Sequence, residues 1–148
     1  MSGEHHELPT RLHHYILSSR ALVLLTAPAI YAVAVPLLML DLFLSLYQRI
    51  CFPVYGIQRV ARRDFLVFDR AQLRYLNLFE RINCTYCSYA NGLIAYAREI
   101  ASRTEQYWCP IKHAKRLRDA HARYRDFLEY GDSAAYRREL AALREKLR

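Results

Sequence analysis

The sequence predicts a mainly α-helical chain: one Pro-kinked membrane helix near the N-terminus, then a small cytoplasmic helical domain with a Cys/His centre. Three observations carry this. Residues 21–47, ALVLLTAPAIYAVAVPLLMLDLFLSLY, hold a single charge, Asp41. Beyond residue 70, apolar side chains return every three or four positions, the period of a helix with one buried face. Between Asn83 and His113 stand three of the four cysteines, the only tryptophan and a histidine four residues past the last cysteine. The 148 residues fit one domain, and with 4 glycines and 5 prolines they suit neither a disordered chain nor a turn-rich β-sandwich.

Residues 1–20 read as a soluble tail. It carries the pairs His5–His6 and His13–His14, and Pro9 followed by Thr10 suits the start of a short helix. Leu12, Tyr15 and Ile16 give that helix an apolar side that can rest on a membrane surface. The apolar run over 21–47 follows, and its uncharged part alone is long enough to span a hydrocarbon core of about 30 Å. Pro28 and Pro36 are expected to kink it, and Asp41 falls towards one interface. Ala32-Val33-Ala34 resembles a cleavage site, but cutting there would leave VPLLMLDLFLSLY as a new terminus, so the run reads as an uncleaved anchor.

Charge sets the orientation. The chain carries +8 overall, and of its 22 lysines and arginines only Arg11 and Arg20 precede the apolar run. The positive-inside rule puts the C-terminal part in the cytoplasm; two kinked half-spans, or a helix embedded from one side, would place both ends there. Residues 48–70 form a basic juxtamembrane linker. Around its start Tyr47, Phe52 and Tyr55 with Arg49 resemble an interface belt, Pro53 and Gly56 end the helix, and Arg49, Arg59, Arg62 and Arg63 suit anionic headgroups. The segment RDFLVF (63–68) is compatible with a short extended strand.

The helical domain occupies 71–148. Asp69 is expected to cap a helix from about Ala71 to Ile82, striped by Leu73, Leu76, Phe79 and Ile82. A second helix, about Ser88 to Arg103, carries Leu93, Ile94, Ala97, Ile100 and Ala101 on one face, and Asn91-Gly92 reads as turn chemistry. Ala114, Leu117, His121, Tyr124 and Leu128 outline a basic helix with Lys115, Arg116, Arg118, Arg123 and Arg125 around them. Gly131 breaks it, Ser133 caps the next, and Tyr136, Leu140, Leu143 and Leu147 form the last stripe.

Cys84, Cys87, Cys109 and His113 have the spacing C-x2-C-x21-C-x3-H, close to that of structural zinc sites. A loop at 104–108 would have to bring the second pair back onto the first, because a helix cannot fold on itself. Cys51 competes as the fourth ligand, and an iron–sulfur cluster on all four cysteines is the alternative cofactor. A cytoplasmic location favours metal or redox chemistry over disulfides. Arg103, Glu105 and Trp108, just before Cys109, are candidates to back the ligands.

At NCTYCSYANGLIAY and RTEQYWCPIKHA the chain resembles an uncharacterised family of small bacterial inner-membrane proteins, and the likeness runs from HHYILSSRALVLL to YGDSAAYR. The resemblance implies an inner-membrane location and a shared Cys-containing core, and it implies no catalytic activity.

These features point to a membrane-anchored adaptor or assembly protein with a zinc-stabilised domain. Its expected partners are anionic lipid and an acidic protein or larger membrane complex. A redox protein using an iron–sulfur centre or reactive thiols is the alternative. Nucleic acid is disfavoured as a partner, because the aromatic residues of the basic tail are few and helix-spaced. No Ser–His–Asp, Walker or dinucleotide fingerprint indicates an enzyme.

Overall fold

The computed structural model describes residues 21–148. The expected N-terminal tail with its interfacial helix and histidine pairs lies outside the described residues. The described chain is mainly helical: α1 (Ala21–Ala32), α2 (Ala34–Tyr55), α3 (Leu78–Trp108) and α4 (Ser133–Glu145), with 3-10 turns at Arg62–Asp64, Asp69–Gln72 and Ala122–Asp126. Among the described residues no strand forms, and the extended reading of 63–68 gives way to a 3-10 turn and coil. The described residues divide into two compact units, 21–40 with 63–94 and 41–62 with 95–148.

The apolar run is one long helical stretch with a single break at Val33, the kink expected of Pro36, and α1 and α2 are its two parts. Pro36 has no N–H to give the Ala32 carbonyl, so the ladder breaks at Val33. There Val33 N–H reaches back to the Ile30 carbonyl at 3.3 Å and the Leu37 amide picks up the Val33 carbonyl. Pro28 sits inside α1 without interrupting it. The far end runs to Tyr55, beyond the expected limit at Tyr47 and through Pro53. It stops in a Schellman turn: Gly56, at φ 67°, donates to the Pro53 carbonyl and Ile57 to that of Phe52. Leu25–Tyr55 is long and apolar enough to cross a membrane.

In the first unit, α1 rests on the start of α3. Tyr31 hydrogen-bonds Asn83, its ring meets Tyr86 edge-on at 5.6 Å, and the Tyr86 hydroxyl donates to the Ile30 carbonyl at 2.8 Å. Tyr86 thus serves the carbonyl end of α1 where the ladder breaks. A capping box opens α3: Asn77 Oδ1 accepts from Glu80 N–H and Glu80 Oε2 from Asn77 N–H, both at 2.9 Å. The expected helix over 71–82 therefore starts seven residues late, after the 3-10 turn and a coil.

In the second unit, α2 and α3 run parallel, since Gln48 meets Tyr96 and, further on, Tyr55 meets Trp108. Phe52, Ile57, Val60, Tyr96 and Ile100 are buried there. The basic segment after Pro110 does not form the expected helix. Its backbone instead bridges Ile111 to Leu128, and the Tyr124 hydroxyl accepts the His113 N–H. The last helix forms as expected, with its cap one position early: Asp132 rather than Ser133 accepts the Ala135 N–H at 2.8 Å, and Leu143 and Leu147 are buried.

Candidate functional site

The four expected metal ligands do not converge in the way their spacing suggested. Residues 78–108 form one uninterrupted helix, so neither a CxxC turn nor a loop at 104–108 exists. At 1.5 Å per residue α3 is a rod of about 46 Å. Cys84 and Cys87 lie in its first third, and Cys109 follows its last residue, with Pro110 ending the helix. All four cysteines are free thiols; Cys87 and Cys109 are exposed and Cys51 and Cys84 half-buried. His113 is exposed and stacks on Tyr124 at 6.1 Å. Among the described residues no three His, Cys, Asp or Glu side chains are grouped as a metal would require.

The residues expected to back the ligands have other tasks. Arg103 pairs with Glu99 at 2.8 Å and donates from Nη1 to the Gln58 carbonyl. Glu105 holds His121 Nε2 at 2.8 Å, beside the rings of Tyr124 and Phe127. Trp108 is 53% exposed and joins Tyr55 and Tyr107 in an aromatic cluster, rather than packing in the core. Of the four arginines assigned to headgroups, Arg49, Arg59 and Arg63 are exposed, but Arg62 is bound to Asp41.

That last pair belongs to the most developed polar constellation of the second unit. Asp41, Ser45 and Gln48 recur at spacings of four and three, which sets them on one face of α2. Asp41 is 7% exposed and takes both guanidinium nitrogens of Arg62, with Nη2–Oδ2 at 2.6 Å. Gln48 donates from Nε2 to the Tyr96 hydroxyl and accepts the Val60 N–H at 3.0 Å. Burial pushes the Tyr96 phenol up from its ordinary value, keeping it neutral. Each polar group on this face is matched to a partner on α3 or on the returning segment 57–62, so the face joins α2 to both. The recurrence 41, 45, 48 inside an apolar run was visible in the sequence, as a polar stripe that needed protein to face.

A second network ties α3 to the loop behind it. Glu99 Oε1 accepts from Arg103 Nε and Arg123 Nη2, each at 2.8 Å, and Arg123 Nη1 reaches Gln106 Oε1 at 3.2 Å. Burial works to raise the Glu99 carboxyl, but the hydrogen bonds and charges of Arg123 and Arg103 outweigh it and hold the group below its ordinary value. Unfolded, Glu99 takes its proton at the higher, ordinary carboxylate pH. Its contribution is therefore complete above that range and is lost as pH falls through the depressed folded value. Between about pH 6 and about pH 3 the native chain should lose more unfolding free energy than Glu99→Gln. Denaturant titrations at each pH test this, and parallel losses would show that Glu99 carries none of the linkage.

No family model, curated protein or solved structure matches the chain.

Proposed function

We propose that this chain is a membrane-anchored adaptor or assembly protein. In this reading the apolar stretch Leu25–Tyr55 anchors the chain in a bacterial inner membrane with its C-terminal part in the cytoplasm, and the basic surface of that part engages an acidic partner. One observation carries it. Along α2 the polar face is closed against protein, while Val35, Leu38, Leu42, Phe43, Leu46, Ile50 and Val54 stand exposed on the rest of the helix, Val54 at 77%. A contiguous apolar surface of that extent is rare on a soluble monomer and fits a bilayer. The exposed Arg49, Arg59 and Arg63 suit anionic headgroups on the cytoplasmic side, in line with the positive-inside rule. Lys115, Arg116 and Arg118, exposed on the loop after α3, are the residues offered to a partner.

The test is carbonate extraction of bacterial membranes, with a membrane-impermeant maleimide added to intact and to permeabilised cells. The chain should stay with the membrane, and the exposed Cys109 should label only after permeabilisation. A photo-crosslinker at Lys115 should give a discrete protein adduct that Arg116→Glu with Arg118→Glu abolishes. Release by carbonate would sink the anchor, and the absence of any charge-sensitive adduct would sink the adaptor.

A further inference from the structure

In the first unit α1 and α3 enclose a groove of about 460 Å³, lined by Tyr31, Arg81, Ile82, Thr85, Tyr86 and Tyr89. That is within the range of small-molecule pockets. Its lining is aromatic and apolar except for one permanent charge, the Arg81 guanidinium. Arg81 Nε is buried and has no hydrogen-bond partner, and Nη2 makes only a long bond of 3.4 Å to the Leu73 carbonyl. Among the described residues Arg81 forms no ion pair, and the adjacent Glu80 is occupied by the Asn77 amide. A buried donor left open calls for an acceptor, and a guanidinium calls for an anionic one.

The other polar atoms narrow the ligand. Tyr31 is bonded to Asn83, the Tyr86 hydroxyl donates to the Ile30 carbonyl, and the Thr85 hydroxyl donates to the Arg81 carbonyl. These three hydroxyls are satisfied within the protein, which leaves the apolar parts of those side chains and half-exposed Ile82 to meet a ligand. The ligand must therefore bring one anionic group and an apolar body. Beside the groove α1 exposes Leu25 and Ile30, surface on which hydrocarbon chains can lie. We propose that this groove is a binding site for an anionic phospholipid, its phosphate on Arg81 and its acyl chains along α1 and Ile82. The site would hold one lipid of defined headgroup charge, distinct from the general attraction of Arg49, Arg59 and Arg63 for a negative surface.

The inference rests on the membrane reading above, and the experiment separates the two. Full-length protein is purified in a non-ionic detergent, stripped of lipid and titrated by native mass spectrometry with phosphatidylglycerol and with phosphatidylcholine of the same chains. The native chain should take one phosphatidylglycerol with a preference of about tenfold, the worth of one charge-assisted pair. Arg81→Gln should bring the two lipids level, Arg81→Lys should keep part of the preference, and exposed Arg138→Gln should leave it intact. Far-ultraviolet circular dichroism confirms that each variant is helical. No preference in the native chain, or the same preference in Arg81→Gln as in Arg138→Gln, would overturn the site. Inorganic phosphate that binds alone and displaces the lipid would assign Arg81 to a soluble anion and overturn the lipid. Carbonate extraction of Arg81→Gln is run alongside: retention in the membrane without lipid preference ends this inference only, and release of the native chain ends the anchor reading as well.

Discussion

Arg62→Ala is expected to cost about 3 kcal/mol of unfolding free energy, because it takes the bidentate cationic partner from a buried carboxylate. Asp41 is the only acidic residue of α2 and is 7% exposed, so water is a poor substitute for the guanidinium it loses. The converse change is cheap. Arg62 is 46% exposed along its side chain, so Asp41→Leu leaves behind the less buried partner and adds an apolar contact in place of the carboxylate. The double variant Asp41→Leu/Arg62→Ala should therefore recover most of what Arg62→Ala loses. Reversible denaturant unfolding in a mild detergent, followed by circular dichroism, gives all three values. If Arg62→Ala is within about 0.5 kcal/mol of the native chain, the carboxylate does not need its partner. If the double variant is as weak as the single, packing of the arginine stem is what matters rather than charge.

The second large effect concerns Gly92. In an exposed helix a glycine replaced by alanine gains about 1 kcal/mol. Here a Cβ would stand 2.6 Å from the Phe65 carbonyl oxygen and 3.3 Å from Leu66 Cα, and these are main-chain atoms that cannot rotate aside. Overpacking of that kind costs about 1–3 kcal/mol and outweighs the gain, so Gly92→Ala should be destabilising by about 1 kcal/mol, and Gly92→Leu by more. The same unfolding assay decides it. A stabilised Gly92→Ala would mean that segment 65–66 does not rest on α3.

Gly92 also shows how the same residue reads differently from sequence and from structure. Asn91-Gly92 looks like a turn, yet Gly92 is mid-helix, and among the described residues only Gly56 and Gly131 adopt positive φ. Asn91 spends its side chain on the Cys87 carbonyl, Thr85 on that of Arg81 and Thr104 on that of Ile100. Polar residues that compete with a helix in isolation thus bond back into this one.

By itself the sequence determined a mainly helical chain, an apolar stretch near its start, the stop at Gly56, the basic flank behind it and the amphipathic α4. Each of these is a local matter: hydropathy over twenty residues, a glycine free to take positive φ, an apolar stripe with a cap. The capping box Asn77–Glu80 and the stripe Asp41, Ser45 and Gln48 are equally local signals, although the expectation placed the cap at Asp69 and took Asp41 as a lone charge near one interface. The tertiary structure alone decided that α3 runs unbroken through NCTYCSYANG, and with it that the CxxC is not a turn that gathers Cys109 and His113. Its residues there are middling helix formers whose preferences differ by a few tenths of a kcal/mol each, whereas burying Leu93, Tyr96 and Ile100 contributes about 1.5–3 kcal/mol per side chain. The same disparity undid the expected basic helix over 114–128, where the bridge from Ile111 to Leu128 and the Tyr124–His113 bond outweigh a stripe of only five apolar or aromatic positions. Spacing fixes which residues can meet only where the path between them is known, and that path depends on long-range burial.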